Sequence, residues 1–486
     1  ERLVGSEMCI RDSLISNNSP KADQPIFGNQ MTATLYIANT IVTMNENNDI
    51  LNDAGIVVDG NTIVAVDDAT HLQANYPTAE IVFCDNSLLM PGLVNTHCHS
   101  GLLRGTAEGL PVWEWLQQFI DPMHRVLTPP EAELASRLCY AESLLSGTTT
   151  IVDMWRHMDG SARAAADLGI RAIMVPYVAE HPDHDYFETL DTNEALIKQW
   201  HQTSNDRIHV WVGLEHMFYA QTPALGRIAN LCKEYQTGFH THSNESRFDV
   251  EKTLERYQAR PIEVLEKLGL LEANNTLLAH CVWLDNAEIQ ILADRNIGVA
   301  HNPVSNMKLS SGAARVQDML TKGIAVGLGT DGEKENNNLD MFEELKTASL
   351  LAKFSALDAA ALDAWSVCRM GTIDGARALG MDKQIGSIEP GKRADIIAVN
   401  TNTPRMTPFI TSGKYQNLNH NLVHAVQGGD VRMTIVNGEV LVKDGKLLSA
   451  DLDNIIADAN LAIGPLLERR DAWIKKSGVS INELDQ

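Results

Sequence analysis

The stretch PGLVNTHCHS at residues 91–100 decides the fold, because it reads as an apolar strand that ends in a pair of histidines. His97 and His99 are two residues apart, so on a strand their imidazoles point to the same face. Neutral imidazoles that converge on one point are well suited to a divalent transition metal. A lone His-x-His pair is a weak signal, but its position after Pro91-Gly92, at the end of a strand, favours a pair of metal ligands.

Seven further apolar, β-rich segments follow, with helical segments between most of them. The eight predicted strands are 93–99, 148–155, 171–178, 208–216, 237–243, 275–284, 297–306 and 325–331. Eight such strands predict an α/β fold, a (β/α)8 barrel over residues 91–385. Catalytic residues of that fold lie at the carboxyl ends of strands, and polar residues occur there in this chain: His97, His99, Asp153, His216, His242, His280, Asn302 and Asp331.

Short β-type runs flank the barrel on both sides, between 31 and 90 and again in ADIIAVN (394–400) and residues 431–448. They predict one small composite β-sandwich, built from residues 31–90 plus 386–450. We expect a C-terminal helical segment over 451–486. Residues 1–30 are polar and lack periodicity, so they are interpreted as a disordered tail or a sequence scar and do not enter the fold argument.

Composition excludes several classes of protein. The formal net charge of −24 argues against a nucleic-acid-binding surface, which relies on clustered Lys and Arg. No apolar run approaches the roughly 20 residues that cross a bilayer, and no signal peptide is recognisable, so we expect a cytoplasmic protein. The seven cysteines form no C-x-x-C pair, which argues against a zinc ribbon, a disulfide framework and the cytidine-type zinc deaminases.

The later strand ends supply further candidate groups for chemistry. His242 and Asp331 together with His97 and His99 offer three nitrogens and one oxygen, and leave room for the water that a catalytic metal keeps. Glu245 could then accept the proton of that water and pass it to the substrate, while His280 orients the resulting hydroxide or binds the metal itself. The alternatives are an Asp331 that only forms its glycine-lined turn, a structural His280 and a helix-capping Glu245. His240 shares the face of His242 and could serve packing or support.

A site with two metals would need a bridging ligand, commonly a carboxylated lysine on the fourth strand. The predicted fourth strand, IHVWVGLEH at 208–216, contains no lysine. The sequence therefore favours one divalent metal ion.

At this point the chain resembles the amidohydrolase superfamily, in particular its aminohydrolase branch, which includes methylthioadenosine/S-adenosylhomocysteine deaminases and s-triazine hydrolases. The matching segments are residues 91–105, 240–246, 279–284, 300–312, 329–341, 385–399 and 436–446. The resemblance implies metal ligands His97, His99, His242 and Asp331, and proton transfer by Glu245, His280 and Asp331. It also implies hydroxide attack on a ring carbon that bears an amino group. We expect zinc as the metal, with iron as the alternative.

The resemblance also suggests substrate contacts. His216 and Trp115 match positions that face the substrate in the family. The nucleoside deaminases carry a ribose-binding Glu in the loop after that tryptophan, whereas His124 occupies the corresponding place here. This departure favours a free or differently substituted heterocycle, with Asp121, His124 and Arg125 as candidate contacts. Residues 333–337, EKENN, also differ from the small residues typical of the adenosine enzymes.

Several functions therefore stay open. The first is deamination of an amino-substituted heterocycle of purine, pterin or triazine type. The alternatives are methylthioadenosine/S-adenosylhomocysteine deamination, hydrolysis of a cyclic amide or of another ring substituent, and a non-catalytic barrel with a binding role. The expected partner is a small heterocyclic substrate, with no nucleic acid and no membrane, and a homo-oligomer is possible for this family.

Overall fold

The structure, a computed structural model, describes residues 33–478, so the predicted tail at 1–30 lies outside the described residues. The strands are β1 Thr34–Val42, β2 Ile50–Asp59, β3 Thr62–Asp68, β4 Glu80–Phe83, β5 Ser87–Pro91, β6 Leu93–Cys98, β7 Thr148–Trp155, β8 Arg171–Pro176, β9 Ile208–Val210, β10 Val212–Leu214, β11 Phe239–Ser243, β12 Thr276–His280, β13 Gly298–His301, β14 Val326–Leu328, β15 Ile396–Asn400, β16 Val431–Val436, β17 Glu439–Lys443 and β18 Lys446–Leu447.

The helices are α1 Ala69–Asn75, α2 Val112–Trp115, α3 Asp121–Val126, α4 Pro129–Leu145, α5 Met158–Leu168, α6 Leu190–Trp200, α7 Thr222–Glu234, α8 Arg247–Tyr257, α9 Pro261–Lys267, α10 Asn286–Asp294, α11 Pro303–Lys308, α12 Val316–Thr321, α13 Glu333–Asn336, α14 Met341–Ala356, α15 Ala364–Met370, α16 Ile373–Ala378, α17 Leu418–His424 and α18 Leu452–Ser477. A π-helical turn, Leu116–Ile120, joins α2 to α3. Short 3₁₀ turns lie at Pro182–His184, Met217–Tyr219, Leu270–Glu272, Pro404–Met406 and Gly428–Asp430. Among residues 33–478, no helix is long and apolar enough to span a membrane.

The parallel strands β6 to β14 form the predicted (β/α)8 barrel, paired in the order β10-β11-β12-β13-β14-β6-β7-β8-β9. The fourth predicted strand is interrupted at Trp211, whose N–H donates to Met174 O on β8 at 3.0 Å. β9 and β10 thus together form the fourth strand of the barrel. β9 pairs with β8 and β10 pairs with β11, so the barrel closes through this interrupted strand. The core strands are buried along their whole length, as expected for strands covered on both faces.

Two predicted strands extend furthest beyond the observed strand ends. The strand predicted over 297–306 ends at His301, because Pro303 begins helix α11 and the fixed φ of proline suits the first turn of a helix. The strand predicted over 275–284 ends at His280, whose φ of 71° leaves the extended region. Both histidines thereby lie at the mouth of the barrel and not in mid-strand.

Strands from both ends of the chain form the second sheet, as predicted. Its order is β18-β17-β16-β15-β5-β1-β2-β3, with β4 paired to β1. Hydrogen bonds join all nine strands into one sheet, which curves so that Ile63 of β3 and Ile435 of β16 share one hydrophobic cluster. The domain boundaries near residues 91 and 385 stay a prediction, since the sheet and the barrel are in continuous contact.

A buried ion pair joins the sheet to the barrel. Arg171 of β8 binds Asp395 through Nε–Oδ2 at 2.9 Å and Nη2–Oδ1 at 3.2 Å. Asp395 Oδ1 also accepts a hydrogen bond from the Asn437 N–H at 2.7 Å. At the other side of the barrel, α18 packs on α3 and α4, with Arg469 paired to Glu131 at 2.6 Å.

Candidate metal and catalytic site

Four predicted ligands meet at the barrel mouth. His97 and His99 come from the end of β6, His242 from β11 and Asp331 from the turn after β14. Asp331 Oδ1 lies 3.4 Å from His97 Nε2 and 3.2 Å from His99 Nε2. The Nε2 atoms of His242 and His99 are 3.2 Å apart. The structure thus brings three nitrogens and a carboxylate together around one point.

Main-chain carbonyl groups fix two of these imidazoles. His99 Nδ1 lies 2.6 Å from Met154 O, and His242 Nδ1 lies 2.6 Å from Glu215 O. Because a carbonyl oxygen only accepts, each Nδ1 carries the proton and donates it. Each Nε2 atom is therefore unprotonated, and its lone pair faces the point where the four predicted ligands meet.

His97 is fixed through a second histidine. His240 Nδ1 donates to Leu277 O at 2.9 Å, which leaves His240 Nε2 as an acceptor 2.8 Å from His97 Nδ1. His97 Nδ1 therefore donates to His240, and His97 Nε2 is a buried lone pair without a hydrogen-bond partner. This arrangement gives His240 the supporting role that its position on β11 suggested.

The donor set fits a divalent cation. The Nε2 atoms of His99 and His242 are close, yet neither can donate to the other, so their approach is favourable only with a positive charge between them. Burial holds the pKa of both imidazoles well below the usual value, which keeps them neutral. Although burial raises the pKa of Asp331, the rings of His97, His280 and His99 hold it well below its usual range. Three neutral imidazoles and one carboxylate are a ligand set that zinc accepts.

Asp331 also makes the turn that the sequence suggested as an alternative. Its N–H donates to His97 O at 3.0 Å, and its Oδ1 accepts from the Gly332 N–H at 3.0 Å. Its φ of 59° is a left-handed conformation that costs free energy for a residue other than glycine. The turn thus aims the carboxylate at the histidines.

Glu245 and His280 lie beside the four ligands. His280 Nε2 is 3.9 Å from Glu245 Oε2 and 3.7 Å from Asp331 Oδ2. His280 Nδ1 lies 2.9 Å from Asn306 Oδ1, and Glu245 Oε1 accepts from Ser311 Oγ at 3.3 Å. Burial raises the pKa of Glu245 to about 7. A carboxyl group and an imidazole are therefore available for proton transfer next to the same centre.

Two other polar strand ends serve the structure. Asp153 accepts hydrogen bonds from the Ser100 N–H at 2.9 Å, from Ser100 Oγ at 2.7 Å and from Tyr140 OH at 2.6 Å. Asn302 places its amide 3.4 Å from His280 Nδ1. Asp153 holds the segment after His99 in place, and it does not reach the centre.

The segment from α2 through the π-helical turn covers the site. Val112, Trp113, Trp115 and Leu116 line a cavity of about 30 Å³ over the ligands, room for no more than a few water molecules. Trp113 Nε1 anchors this cover by donating to Asp249 Oδ1 at 2.7 Å. Because a heterocycle needs far more space, substrate binding requires the cavity to widen.

The predicted substrate contacts divide into two groups. Trp115 and His216 line the cavity. His124 is buried but packs against Trp155, Tyr177 and Phe187, and both of its ring nitrogens lack a hydrogen-bond partner. The structure therefore does not bring His124 to the cavity wall.

Arg125 and Asp121 also lie outside the cavity wall. The Arg125 guanidinium stacks 3.8 Å over Tyr186, and its Nη2 donates to Asp183 O at 3.1 Å. Asp121 is hydrogen-bonded to Tyr186, and burial raises its pKa to about 6. Helix α3 thus directs these two side chains towards the Pro182–His184 turn, where Arg125 also faces Trp473 of α18.

Four polar or aromatic cavity residues escaped the sequence reasoning: Trp113, Tyr177, Glu215 and Glu335. Glu215 precedes His216 in the quoted segment GLEHMFY, so its position beside a predicted contact was the available signal. Glu335 belongs to the unusual EKENN segment. There Lys334 is fully buried, with Nζ 3.0 Å from Glu335 Oε1 and 5.3 Å from the Trp155 ring.

The chain is similar to known proteins over most of its length. Residues 88–441 match the amidohydrolase family. A 5'-deoxyadenosine deaminase of Methanobrevibacter smithii is 38 % identical over 399 residues, covering 80 % of this chain and 89 % of the relative. A 5-methylthioadenosine/S-adenosylhomocysteine deaminase of Syntrophomonas wolfei is 39 % identical over 383 residues, covering 78 % and 87 %.

Solved structures agree over similar lengths. An adenosine deaminase from Xanthomonas campestris with bound zinc has a TM-score of 0.84 at 30 % identity, covering 90 % of this chain and 99 % of that one. A triazine hydrolase from Arthrobacter aurescens has a TM-score of 0.80 at 25 % identity, covering 88 % and 99 %. The match over most of the chain, together with the ligand geometry, shows that this protein belongs to the amidohydrolase family and is a hydrolase.

Proposed function

We propose that this protein is a zinc-dependent deaminase that hydrolytically removes an amino group from a nitrogen heterocycle. One observation carries the proposal: the Nε2 atoms of three buried imidazoles converge with a carboxylate on one point. His280 lies beside that point, within 4 Å of both Asp331 and Glu245. The two relatives described above are named as deaminases of adenosine derivatives, which supports the same reaction class.

His97, His99, His242 and Asp331 would hold the metal. When bound, a divalent ion lowers the pKa of water from about 15.7 towards 7, which supplies hydroxide at neutral pH. The net reaction replaces the C–NH₂ bond with a C–O bond and releases ammonia, with water as the co-reactant.

The chain's own residues move the protons. Glu245 takes the proton that the attacking water loses and donates it to the ring nitrogen beside the reacting carbon. Asp331 takes the remaining proton of the attacking oxygen and delivers it to the departing amino group, and His280 orients that oxygen. The cover at residues 112–120 excludes bulk water and strengthens these interactions.

A second candidate is deamination of a 5'-modified adenosine, which the relatives' names favour. The chain lacks the ribose-binding Glu expected in the loop after Trp115, and His124 does not reach the cavity. These observations favour a heterocycle that is not bound through ribose. Hydrolysis of a cyclic amide is a third candidate, because the same centre can attack a ring carbonyl.

Ammonia release from a panel of purines, pterins, triazines and 5'-modified adenosines tests the proposal. The zinc-loaded enzyme should release ammonia from at least one class, and Glu245→Gln should lower kcat by about 10²- to 10⁴-fold with zinc still bound. Glu251→Gln, the same change on the exposed face of α8, is the control and should keep wild-type turnover.

Three outcomes would overturn the proposal. They are the absence of ammonia from every compound at full zinc occupancy, ring opening of a cyclic amide in its place, and full activity in Glu245→Gln. Elemental analysis would show whether zinc or iron is bound. The cytoplasmic location and a homo-oligomer stay predictions, and sedimentation of the purified protein would test the latter.

A further inference from the structure

The polar groups that line the cavity nearly all have partners. Tyr177 OH lies 3.5 Å from His99 Nε2. Trp113 Nε1 donates to Asp249, and Trp115 Nε1 donates to Ala107 O at 3.0 Å. His216 Nδ1 accepts from the Phe218 N–H at 3.3 Å. Glu335 Oε1 lies 3.0 Å from Lys334 Nζ, although Glu335 Oε2 is buried without a hydrogen-bond partner. With the metal and proton-transfer residues assigned, one lining carboxylate remains that has no cationic side chain beside it among the described residues.

That residue is Glu215. Its side chain is 5 % exposed, and its Oε2 is buried without a hydrogen-bond partner. Within residues 33–478, no Lys, Arg or His side chain forms an ion pair with it, and burial, together with the negative charges of Asp121, Glu245 and Asp249, disfavours its charged form. A buried carboxylate in such a place costs free energy unless a donor reaches it.

The main chain holds Glu215 in register with the metal site. Its N–H donates to Val178 O at 3.0 Å, and its carbonyl oxygen accepts from His242 Nδ1 at 2.6 Å. The main chain of Glu215 is therefore joined to a proposed metal ligand, and the residue lines the cavity over the centre.

We propose that Glu215 determines specificity by accepting a hydrogen bond from an N–H group of the substrate other than the amino group that is lost. This inference rests on the proposed function. The substrate class is then a heterocycle with a second amino group or a ring N–H, such as a 2,6-diaminopurine, a 2-aminopteridine or a triaminotriazine. A 9-substituted adenine offers only acceptors once its amino group occupies the reacting position.

Matched pairs of compounds test this inference. 2,6-Diamino-9-methylpurine and 9-methyladenine differ by one amino group, and so do 2,4-diamino-1,3,5-triazine and 2-amino-1,3,5-triazine. Adenosine adds ribose hydroxyls without a further N–H donor. In the zinc-loaded wild type, kcat/KM should be at least 100-fold higher for the diaminopurine than for 9-methyladenine, since a site that binds a donor rejects the analogue without it.

Variants of Glu215 should reduce this ratio. Glu215→Gln keeps the shape and one acceptor but loses the charge, so the ratio should fall about 10-fold, because hydrogen bonds to charged groups are the stronger ones. Glu215→Met removes the acceptor, so the ratio should approach one. The control is Glu344→Gln, a buried carboxylate that accepts from Asn336 Nδ2 at 2.6 Å and does not line the cavity. This control should leave the ratio unchanged.

The outcomes separate the two proposals. The role of Glu215 is overturned, and the proposed function is not, if some compound yields ammonia but the kcat/KM ratio of the diaminopurine to 9-methyladenine is the same in the wild type and in both zinc-loaded Glu215 variants. It is also overturned by a wild type that prefers 9-methyladenine or adenosine, even if the variants fail to fold. If no compound yields ammonia, the proposed function fails. Calorimetric binding of the diaminopurine, weakened in Glu215→Gln but not in Glu344→Gln, would still support this contact.

Discussion

The imidazole of His97 differs from those of His99 and His242 in what holds it. Main-chain carbonyls orient the latter two, whereas the side chain of His240 accepts the proton of His97 Nδ1 at 2.8 Å. Such an acceptor fixes the tautomer of a ligand and increases its basicity. Of the three groups that accept the Nδ1 protons of these imidazoles, only His240 is a side chain, so it alone can be removed by a substitution.

We predict that His240→Ala weakens zinc binding by about 10- to 100-fold, because His97 loses the group that sets its tautomer. His240→Gln should recover part of the affinity, since its amide oxygen can accept. Competition with a fluorescent chelator measures both values. His209→Ala, a half-buried histidine of β9, serves as the control. Zinc affinity equal to wild type in His240→Ala would contradict the supporting role.

Asp121 should make stability depend on pH. Burial raises its pKa from 3.8 to about 6 in the folded state, so folding favours the protonated form. The stabilisation is complete below pH 4 and is lost as the pH rises through 6. Asp121→Asn should therefore exceed the wild type in unfolding free energy at pH 8, by up to roughly 3 kcal/mol, with little difference at pH 4. Urea unfolding at both values measures this, and an equal difference at the two pH values would refute it.

Among the elements, the cover from α2 to the π-helical turn controls access. A π-helical turn often marks a functional site, and the cavity beneath this one is too small for a heterocycle. Trp113 closes the cover through its hydrogen bond to Asp249. Opening must break this bond or move α8 with it.

We predict that Trp113→Phe lowers kcat/KM about 10-fold, mainly through KM. The ring still fills its place, but a hydrogen bond to a charged group, worth about 1.5–3 kcal/mol, is lost from the closed state. Steady-state kinetics on any substrate found in the panel checks this. Trp365→Phe on α15, remote from the cavity, is the matched control, and an effect of equal size there would contradict the closing role.

Element by element, the sequence was sufficient for the barrel and for the convergence of the proposed metal-binding and proton-transfer residues. All eight strands were predicted, because their apolar runs and the polar residues that end them depend on local pattern alone. His97, His99, His242, Glu245, His280 and Asp331 met as expected, since the carboxyl ends of parallel strands share one edge. Their catalytic roles stay proposals.

The substrate contacts were harder to predict. His124 and Arg125 lie on α3, and the direction of a short helix over the mouth depends on how Tyr186, Phe187 and α18 pack against it. No local pattern encodes that packing. Glu215 escaped attention for a related reason: its burial without a donor exists only in three dimensions.

At the scale of the whole molecule, the Arg171–Asp395 pair should matter more for stability than its surface counterparts. Arg171 is fully buried, and the pair joins β8 to the composite sheet. Removal of one partner leaves an uncompensated buried charge. We predict that Arg171→Met lowers the unfolding free energy by about 3–5 kcal/mol, and that Arg171→Met with Asp395→Leu recovers part of the loss.

Chemical denaturation of the zinc-loaded protein measures these values. Arg137→Met removes an arginine that pairs with Glu133 and Asp167 at the surface, and should cost less than about 1 kcal/mol. A loss in Arg171→Met no larger than in Arg137→Met would show that the pair contributes little.

The composite sheet has a consequence for biosynthesis. β5 pairs antiparallel with β15, so Leu89 cannot pair until Ala398 has been translated, some three hundred residues later. Pairings of such long range form slowly, and until then β5 presents an unpaired edge to its surroundings. The nascent chain should therefore need protection while the barrel is being made, and a stop codon before residue 396 should yield an aggregating fragment even though every metal ligand has already been synthesised.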